Sequence, residues 1–396
     1  MRKLTADWIF PVSSAPIKDG ILVVDDSGRI TDVINPEHTN YKIADTEYFP
    51  GIICPGFVNT HCHLELSHFK NKIPEKIGLN AFLTFLDEIR KQTQAEFREE
   101  TMYLTEKEML NNGIIAVGDI SNTLDTLEIK QEGKLYYHTF VEVFGSDPQQ
   151  ARFRFGYAKE IFDFYHSNGL SAVSIVPHSP YSVSNQLFEL IKQHAIANNS
   201  LLSMHHQENE DENLLFINKT GNIPKRMKNY GVDFFAFQPT GKRPLESVAP
   251  FLPEGNPILL VHNTISQEED MIFASEHFKN LWLALCPNAN LYIENRLPDI
   301  PLFRRLNLRL TIGTDSFASN HHLSVLEEMK TILQNFPELQ LQEILTWATI
   351  NGAKFLHADK LFGSFEKGKI PGVVSINDLD LEHLSLTKAS KAQRIC

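Results

Sequence analysis

A chain of 396 residues with 42% hydrophobic and 22% charged side chains carries enough apolar material for a large core, either one oversized domain or one domain with an appendage. Its formal net charge of −12, pI of about 5.7 and lack of any Lys/Arg-rich run exclude nucleic acid and anionic membrane as main partners and leave a small-molecule substrate. Four widely spaced cysteines without a Cys-x-x-Cys pair make no disulfide framework, the first residues lack the apolar region of a signal peptide, and no apolar run nears the ~18 residues of a membrane helix. A soluble, cytoplasmic protein is expected, with a homodimer left open.

From residue 6 to about residue 50 the apolar runs are short. Trp8-Ile9-Phe10, Gly20-Ile21-Leu22-Val23-Val24 and Ile30-Thr31-Asp32-Val33-Ile34 predict strands, the last two joined through the turn Asp25-Asp26-Ser27-Gly28. Such a sheet is too thin to stand alone, and the short β-like runs between residues 363 and 376 are expected to rejoin it. The run Ile52-Ile53-Cys54 then breaks at Pro55-Gly56, re-forms as Phe57-Val58 and delivers His61-Cys62-His63 at a strand's carboxyl end. Alternate side chains of a strand share a face, so both imidazoles can meet at one point while Cys62 turns away. The spacing alone is weak, because among 16 histidines one such pair is expected nearly once by chance.

Helical periodicity follows at 78–90 and 99–110, and a strand at Ile114-Ile115-Ala116-Val117 ends in Gly118-Asp119. The same pattern predicts strands at 135–143, 171–176, 201–204, 258–261, 281–285 and 308–312, separated by helices that include 185–197, 267–276 and 324–334. Eight β/α units over roughly 260 residues match a TIM barrel. No Gly-x-Gly-x-x-Gly follows the first strand, which argues against a doubly wound sheet. The expected fold is therefore α/β: a (β/α)8 barrel over 51–362 with a small β-sandwich built from residues 1–50 and 363–396. Residues 213–252, with Lys225-Arg226-Met227-Lys228 and the aromatics Phe234, Phe235 and Phe237, form the longest interruption, read either as part of a lid or as a packed satellite core.

The carboxyl ends of barrel strands build active sites, and here they carry a consistent set of polar residues. The fourth strand ends in Pro177-His178-Ser179-Pro180-Tyr181, the fifth in His205-His206-Gln207-Glu208, the sixth in His262-Asn263, the seventh in Cys286-Pro287-Asn288-Ala289-Asn290 and the eighth in Gly313-Thr314-Asp315-Ser316. Any one of these alone reads as a turn or a structural histidine. Together with His61-Cys62-His63 they offer three imidazoles and a carboxylate, a donor set for one divalent metal ion, zinc or iron, with a position left for water.

The motifs Pro-Gly-Phe-Val-Asn-Thr-His-Cys-His at 55–63, His-Ser-Pro-Tyr-Ser-Val-Ser at 178–184, His-x-x-Glu at 205–208, His262, Cys-Pro-Asn-Ala-Asn at 286–290, Gly-Thr-Asp at 313–315 and Ala-Thr-Ile-Asn-Gly-Ala at 348–353 span almost the whole barrel. In them the chain resembles the amidohydrolase superfamily, and within it the mononuclear branch of deaminases and chlorohydrolases. The resemblance implies that His61, His63, His205 and Asp315 hold the metal, that Glu208, His262 and Asp315 are catalytic, and that His178 touches substrate. His206 competes with His205, but only His205 stands three residues before a glutamate. The lysine that bridges two metals in binuclear relatives is missing from the fourth strand, so one metal is implied.

The chemistry implied is hydrolytic deamination: Asp315 accepts a proton from water, His262 orients the attacking oxygen, and Glu208 carries a proton to a ring nitrogen and then to ammonia. The run from His61 to Ser67 is most similar to the aminodeoxyfutalosine deaminases of menaquinone biosynthesis, with Glu65 and Ser67 placed to face substrate, although Glu65 reads equally as a structural cap. Displacement of chloride, opening of a cyclic amide, and a catalytically dead scaffold are the competing readings. Two departures stand out: Gly368-Lys369-Ile370-Pro371-Gly372-Val373 replaces the usual Gly-Lys-x-Ala-Asp-Leu near the terminal sheet, and Ser316 replaces a glycine after Asp315.

Overall fold

The break at Pro55-Gly56 separates two kinds of sheet. The structure, a computed structural model, describes residues 1–38, 46–90, 95–229 and 237–396. Among them the chain opens with β1 (Arg2–Ile9), β2 (Ile17–Lys18), β3 (Ile21–Val24), β4 (Ile30–Ile34) and β5 (Glu47–Pro55). It continues with β6 (Phe57–Cys62), β7 (Ile114–Ser121), β8 (Tyr136–Val143), β9 (Val173–Pro177), β10 (Leu202–His206), β11 (Ile258–His262), β12 (Leu281–Leu285) and β13 (Leu310–Ile312), and ends with β14 (Val373–Asn377) and β15 (Lys391–Arg394).

The first five strands and the last two form a single seven-stranded mixed sheet in the order β15-β14-β5-β1-β3-β4, with β2 beside β1. Period-two alternation gives this sheet two apolar faces: Leu22 and Val24 pack with Leu4, Ile9 and Ile53, while Ile21 and Val23 pack with Ile34 on the other side. The unusual segment before Val373 does not prevent β14 from joining, since Val373 pairs with Pro55 and the carbonyl of Pro371 accepts the amide of Gly56 at 3.0 Å. Gly56 is required there by close approach: a Cβ would press into Ile115 and lie 2.8 Å from that carbonyl.

Strands β6 to β13 are the eight that the sequence predicts, and they form an α/β arrangement of two parallel four-stranded sheets, β6-β7-β8-β9 and β10-β11-β12-β13. Each is fully or almost fully buried, as expected of parallel strands covered by helices. At one seam the amides of Thr314 and Asp315 donate to the carbonyl of His61 at 3.1 and 3.0 Å, and Cys62 bridges to Asp315. At the other the amide of His205 donates to the carbonyl of His178 at 2.9 Å. Gly313 makes the first seam accessible, because a Cβ there would sit 2.8 Å from His61 Cβ and 3.0 Å from Cys286 Sγ.

In the 213–252 interruption the helix Ile223–Asn229 is clamped to the helix Leu79–Arg90: Arg226 donates to the carbonyl of Asn80 at 3.2 Å and to Thr84 Oγ1 at 3.1 Å, and pairs with Asp87 at 2.6 Å. Phe237 packs against Phe216 with ring centroids 5.5 Å apart, whereas Phe234 and Phe235 lie outside the described residues. No helix among the described residues is long and apolar enough to cross a membrane.

Candidate active site

The strand ends bring a group of imidazoles and carboxylates into one buried cluster. β6 supplies His61, with His63 one residue beyond its end; β8 supplies Glu142; His178 follows β9; β10 supplies His205; β11 supplies His262; and Asp315 lies just past β13. Two of these positions, His262 with φ of 71° and Asp315 with φ of 55°, lie in the left-handed region, as do Gln207 and Asn263 with φ of 43° and 52°. Non-glycine residues enter that region at a cost, and they do so here where the strands turn outward and aim side chains at the cluster.

The donor atoms of His61, His63 and His205 all lie within 4.8 Å of one another. His61 Nε2 and His63 Nε2 are 3.2 Å apart, and Asp315 Oδ1 is 3.8 Å from the first and 3.4 Å from the second. Four donors of this chemistry around one point fit a borderline divalent cation, and three imidazole nitrogens with one carboxylate leave a coordination position for water. Burial, reinforced by the neighbouring imidazoles, lowers the pKa of His61 well below its ordinary value and that of His63 to about 3, so both rings keep their lone pairs at neutral pH.

Two of the donors, His205 and Asp315, are held from behind. His205 Nδ1 lies 3.0 Å from the carbonyl of His178; a carbonyl only accepts, so Nδ1 carries the proton, and although burial lowers the ring's pKa, the hydrogen bond and charge of Glu142 raise it to about 9, so a metal would bind Nε2 by displacing its proton. Asp315 Oδ2 accepts the hydroxyl of Ser319 at 2.5 Å, leaving Oδ1 for the cluster. Ser316 sits inside the turn that makes this possible, its hydroxyl accepting the amide of Ala318 at 3.2 Å. Asn59 donates to Thr314 Oγ1 at 2.7 Å and accepts the Thr314 amide at 3.0 Å, fixing the segment that carries Asp315.

Glu208 lies beside the donors with Oε1 3.9 Å from His262 Nε2. Burial pushes its pKa up to about 8, with the charge of Asp315 and Glu294 adding to the effect and that of His205 opposing it, so the carboxyl is protonated at neutral pH. His262 Nδ1 is 2.8 Å from Asn290 Oδ1, and its buried Nε2 has no hydrogen-bond partner. The site therefore holds an acid and an oriented imidazole next to the donor cluster.

The competition between the two histidines of β10 resolves by strand alternation. His206 points to the opposite face, where Nδ1 meets Asn263 Oδ1 at 2.9 Å. His178 ties Nδ1 to Ser182 Oγ at 2.7 Å and Ser179 Oγ at 3.0 Å, and its ring lies 4.8 Å from that of His205. Glu65 accepts the amides of Asn122 and Thr123 and the Thr123 hydroxyl, at 3.1, 2.8 and 2.8 Å, and the buried Ser67 donates its hydroxyl to the carbonyl of Leu64 at 2.7 Å. These bonds give both residues local structural partners.

Sequence reasoning misses Glu142, Ser319, the role of Asn290, and the buried pair of Lys130 Nζ and Asp119 Oδ2 at 2.7 Å. Asp119 also accepts the amide of Leu64 at 2.8 Å, which fixes the chain directly after His63. The available signal was a lone carboxylate inside a buried strand, seen at Glu142 and at Asp119.

Residues 52–393 match the model of the Amidohydrolase family. The chain belongs to that family. It is thus a hydrolase acting on carbon-nitrogen bonds other than peptide bonds. Among curated relatives, the 5-methylthioadenosine/S-adenosylhomocysteine deaminase of Bacillus cereus (strain ATCC 10987 / NRS 248) is 25% identical over 385 residues, covering 93% of this chain and 83% of the relative. Among solved structures, Helicobacter pylori aminofutalosine deaminase in complex with methylthio-coformycin superposes with a TM-score of 0.78 at 22% identity, over 95% of this chain and 92% of that one. An adenosine deaminase from Xanthomonas campestris with bound zinc gives a TM-score of 0.74 at 21% identity, over 96% and 85%. These two structures are alike in fold.

Proposed function

We propose that this amidohydrolase is a metal-dependent hydrolytic deaminase of an amino-substituted purine nucleoside, with 6-amino-6-deoxyfutalosine as preferred substrate. Such a substrate would place it in menaquinone biosynthesis, in the cytoplasm. The observation that carries the reading is Glu208, a buried carboxyl with pKa pushed up to about 8, set 3.9 Å from His262 beside the histidine cluster. Ammonia is a poor leaving group until protonated, and a carboxyl protonated near neutral pH is what such a step needs. The likeness to deaminases of adenine nucleosides supports the substrate class.

In this reading His61, His63, His205 and Asp315 hold one divalent metal, zinc in preference to iron. When bound, the metal supplies Lewis acidity and lowers the pKa of water. Asp315, braced by Ser319, accepts a proton from that water. His262, braced by Asn290, directs the attacking oxygen to the amino-bearing ring carbon. Glu208 gives its proton to the adjacent ring nitrogen, takes up the proton of the adduct hydroxyl and passes it to the departing amine, and the proton held by Asp315 then restores Glu208, so that substrate and water become an oxo product and ammonia. His178 faces the purine, with Glu65 and Ser67 beside it. The supporting frame is proposed as a closed (β/α)8 barrel over 51–362, favoured by the hydrogen bonds at both seams, while the small β-sandwich expected from 1–50 and 363–396 is one seven-stranded sheet.

The test is an ammonia-release screen with zinc-loaded protein over aminodeoxyfutalosine, 5'-methylthioadenosine, S-adenosylhomocysteine, adenosine, guanine and cytosine. The expected result is one ammonia per turnover, with the highest kcat/KM on aminodeoxyfutalosine. A higher kcat/KM on another adenine nucleoside would replace the named substrate, and no release from any compound would overturn the deaminase.

A further inference from the structure

Glu142 is the only charged residue of β8, a strand whose pattern is buried from Tyr137 onward, and it is 7% exposed. A carboxylate so placed needs partners, and it has them on both sides. Its Oε1 lies 3.3 Å from His205 Nδ1, the nitrogen already shown to carry the proton through its 3.0 Å contact with the carbonyl of His178. Its Oε2 accepts from Asn122 Nδ2 at 3.4 Å. Asn122 is in turn held by its amide on the Glu65 carboxylate at 3.1 Å, and Glu65 also takes the Thr123 amide and hydroxyl, both at 2.8 Å. Glu65 stands two residues past His63.

A continuous line of contacts therefore runs from the His61-Cys62-His63 segment through Glu65, the Asn122-Thr123 turn after β7 and the Glu142 carboxylate to His205 on β10. We infer that Glu142 is a positioning residue for His205: it shares the Nδ1 proton with the His178 carbonyl, fixes the ring plane and raises the basicity of Nε2, while Glu65 and Asn122 hold the carboxylate in place. The His178 carbonyl alone suffices to set the tautomer. What it lacks is charge, and a carboxylate behind a ligating imidazole strengthens the opposite nitrogen as a donor in a way a neutral carbonyl does not. The alternative in which Glu142, His178 and His205 hold a second cation of their own is disfavoured, since His205 Nδ1 is protonated and directed at an oxygen. In this arrangement Glu65 acts on the metal site through Glu142, through the contacts it makes with the Asn122-Thr123 turn.

The inference rests on the proposed metal site, and the experiment separates the two. Zinc affinity of the purified full chain is measured by competition with a chromophoric chelator, together with the visible spectrum of the cobalt(II) form. Wild type is expected to bind one equivalent. Glu142→Ala should bind zinc about 10- to 100-fold more weakly with a shifted cobalt spectrum. Glu142→Gln, whose side-chain carbonyl still accepts the Nδ1 proton but carries no charge, should recover part of that loss, and Glu65→Gln should fall between wild type and Glu142→Ala. If Glu142→Ala does not fold, Glu142→Asp, whose carboxylate ends one methylene short, reads the same loss. Zinc affinity within twofold of wild type and an unchanged cobalt spectrum in a folded Glu142 variant would overturn the positioning role alone. A wild-type chain that binds no zinc would overturn the metal site and with it this role.

Discussion

Asn290→Leu removes the acceptor of His262, together with the amide's Nδ2, while keeping the branching of the side chain. In the wild type, Asn290 Oδ1 receives His262 Nδ1 at 2.8 Å, and both side chains are buried, at 2% and 1% exposure. The helix Pro287–Glu294 that carries Asn290 keeps its backbone bond from the Asn290 amide to the carbonyl of Cys286 at 3.0 Å, so the loss is confined to the imidazole. A buried donor left without its partner costs about 1–3 kcal/mol. Because about 1.36 kcal/mol is tenfold in rate, the full cost expressed in the transition state lowers kcat by about 5- to 150-fold. The ring retains its ring contacts with His205 and His61, at 5.5 and 5.9 Å between centroids, but no hydrogen bond to fix its flip, and is free to present the wrong nitrogen to Glu208. The assay is steady-state ammonia release from the best substrate of the screen, with zinc content and Tm measured on the same sample. Zinc content is expected to stay at the wild-type level, since His262 is not among the proposed ligands. A folded, zinc-loaded Asn290→Leu protein with kcat within twofold of wild type would refute the claim that Asn290 orients a working His262.

Other outcomes follow from the same geometry. Glu208→Gln should keep zinc and lose about 10²- to 10⁴-fold in kcat, measured by ammonia release; near-wild-type turnover would remove Glu208 from the proton path. Burial raises the Glu208 pKa to about 8, so the protonated form dominates below that value and kcat should fall as pH rises through it; a kcat flat from pH 6 to pH 10 would contradict its role as acid. Lys130→Met leaves Asp119 charged and unpaired in a fully buried position, which should destabilise the fold by about 3–5 kcal/mol in denaturant unfolding, against little change if the pair were dispensable. Gly313→Ala places a methyl 2.8 Å from His61 Cβ and 3.0 Å from Cys286 Sγ, and should cost about 1–3 kcal/mol by the same assay while weakening zinc binding through the displaced His61.

The strand pattern was legible because each strand of the two parallel sheets is a short, largely apolar run ending in a turn signal, and burial on both faces keeps charge out of those runs except at Asp119 and Glu142. Their polar terminators also placed the donors, since strand alternation alone sends His61 and His205 inward and Cys62 and His206 away. Residues that act on those donors were harder to see. Glu142 and Asp119 lie inside strands, where one carboxylate reads as an interruption until its partner across the sheet is known, and Lys130 sits on a helix that gives no hint of a buried ion pair. Asn290 was inside a recognised motif, yet only the three-dimensional structure shows that its amide meets His262, 28 residues away along the chain. Glu65 illustrates the limit of proximity in sequence: two residues from a donor histidine, it bonds to the turn after β7, a contact separated by 57 residues along the chain. The terminal sheet was expected from both ends of the chain, and the segment Gly368 to Val373, although unusual, still delivers β14 to β5 because the pairing is made by backbone groups.

The central claim is that one metal held by His61, His63, His205 and Asp315 is required for hydrolytic deamination. Its most direct test is zinc titration of chelator-treated protein with ammonia release followed at each addition. Activity is expected to rise linearly and saturate at one zinc per chain, and to stay absent at every zinc concentration in His61→Ala. Full ammonia release by the metal-stripped wild type, or saturation only at two zinc ions per chain, would contradict it.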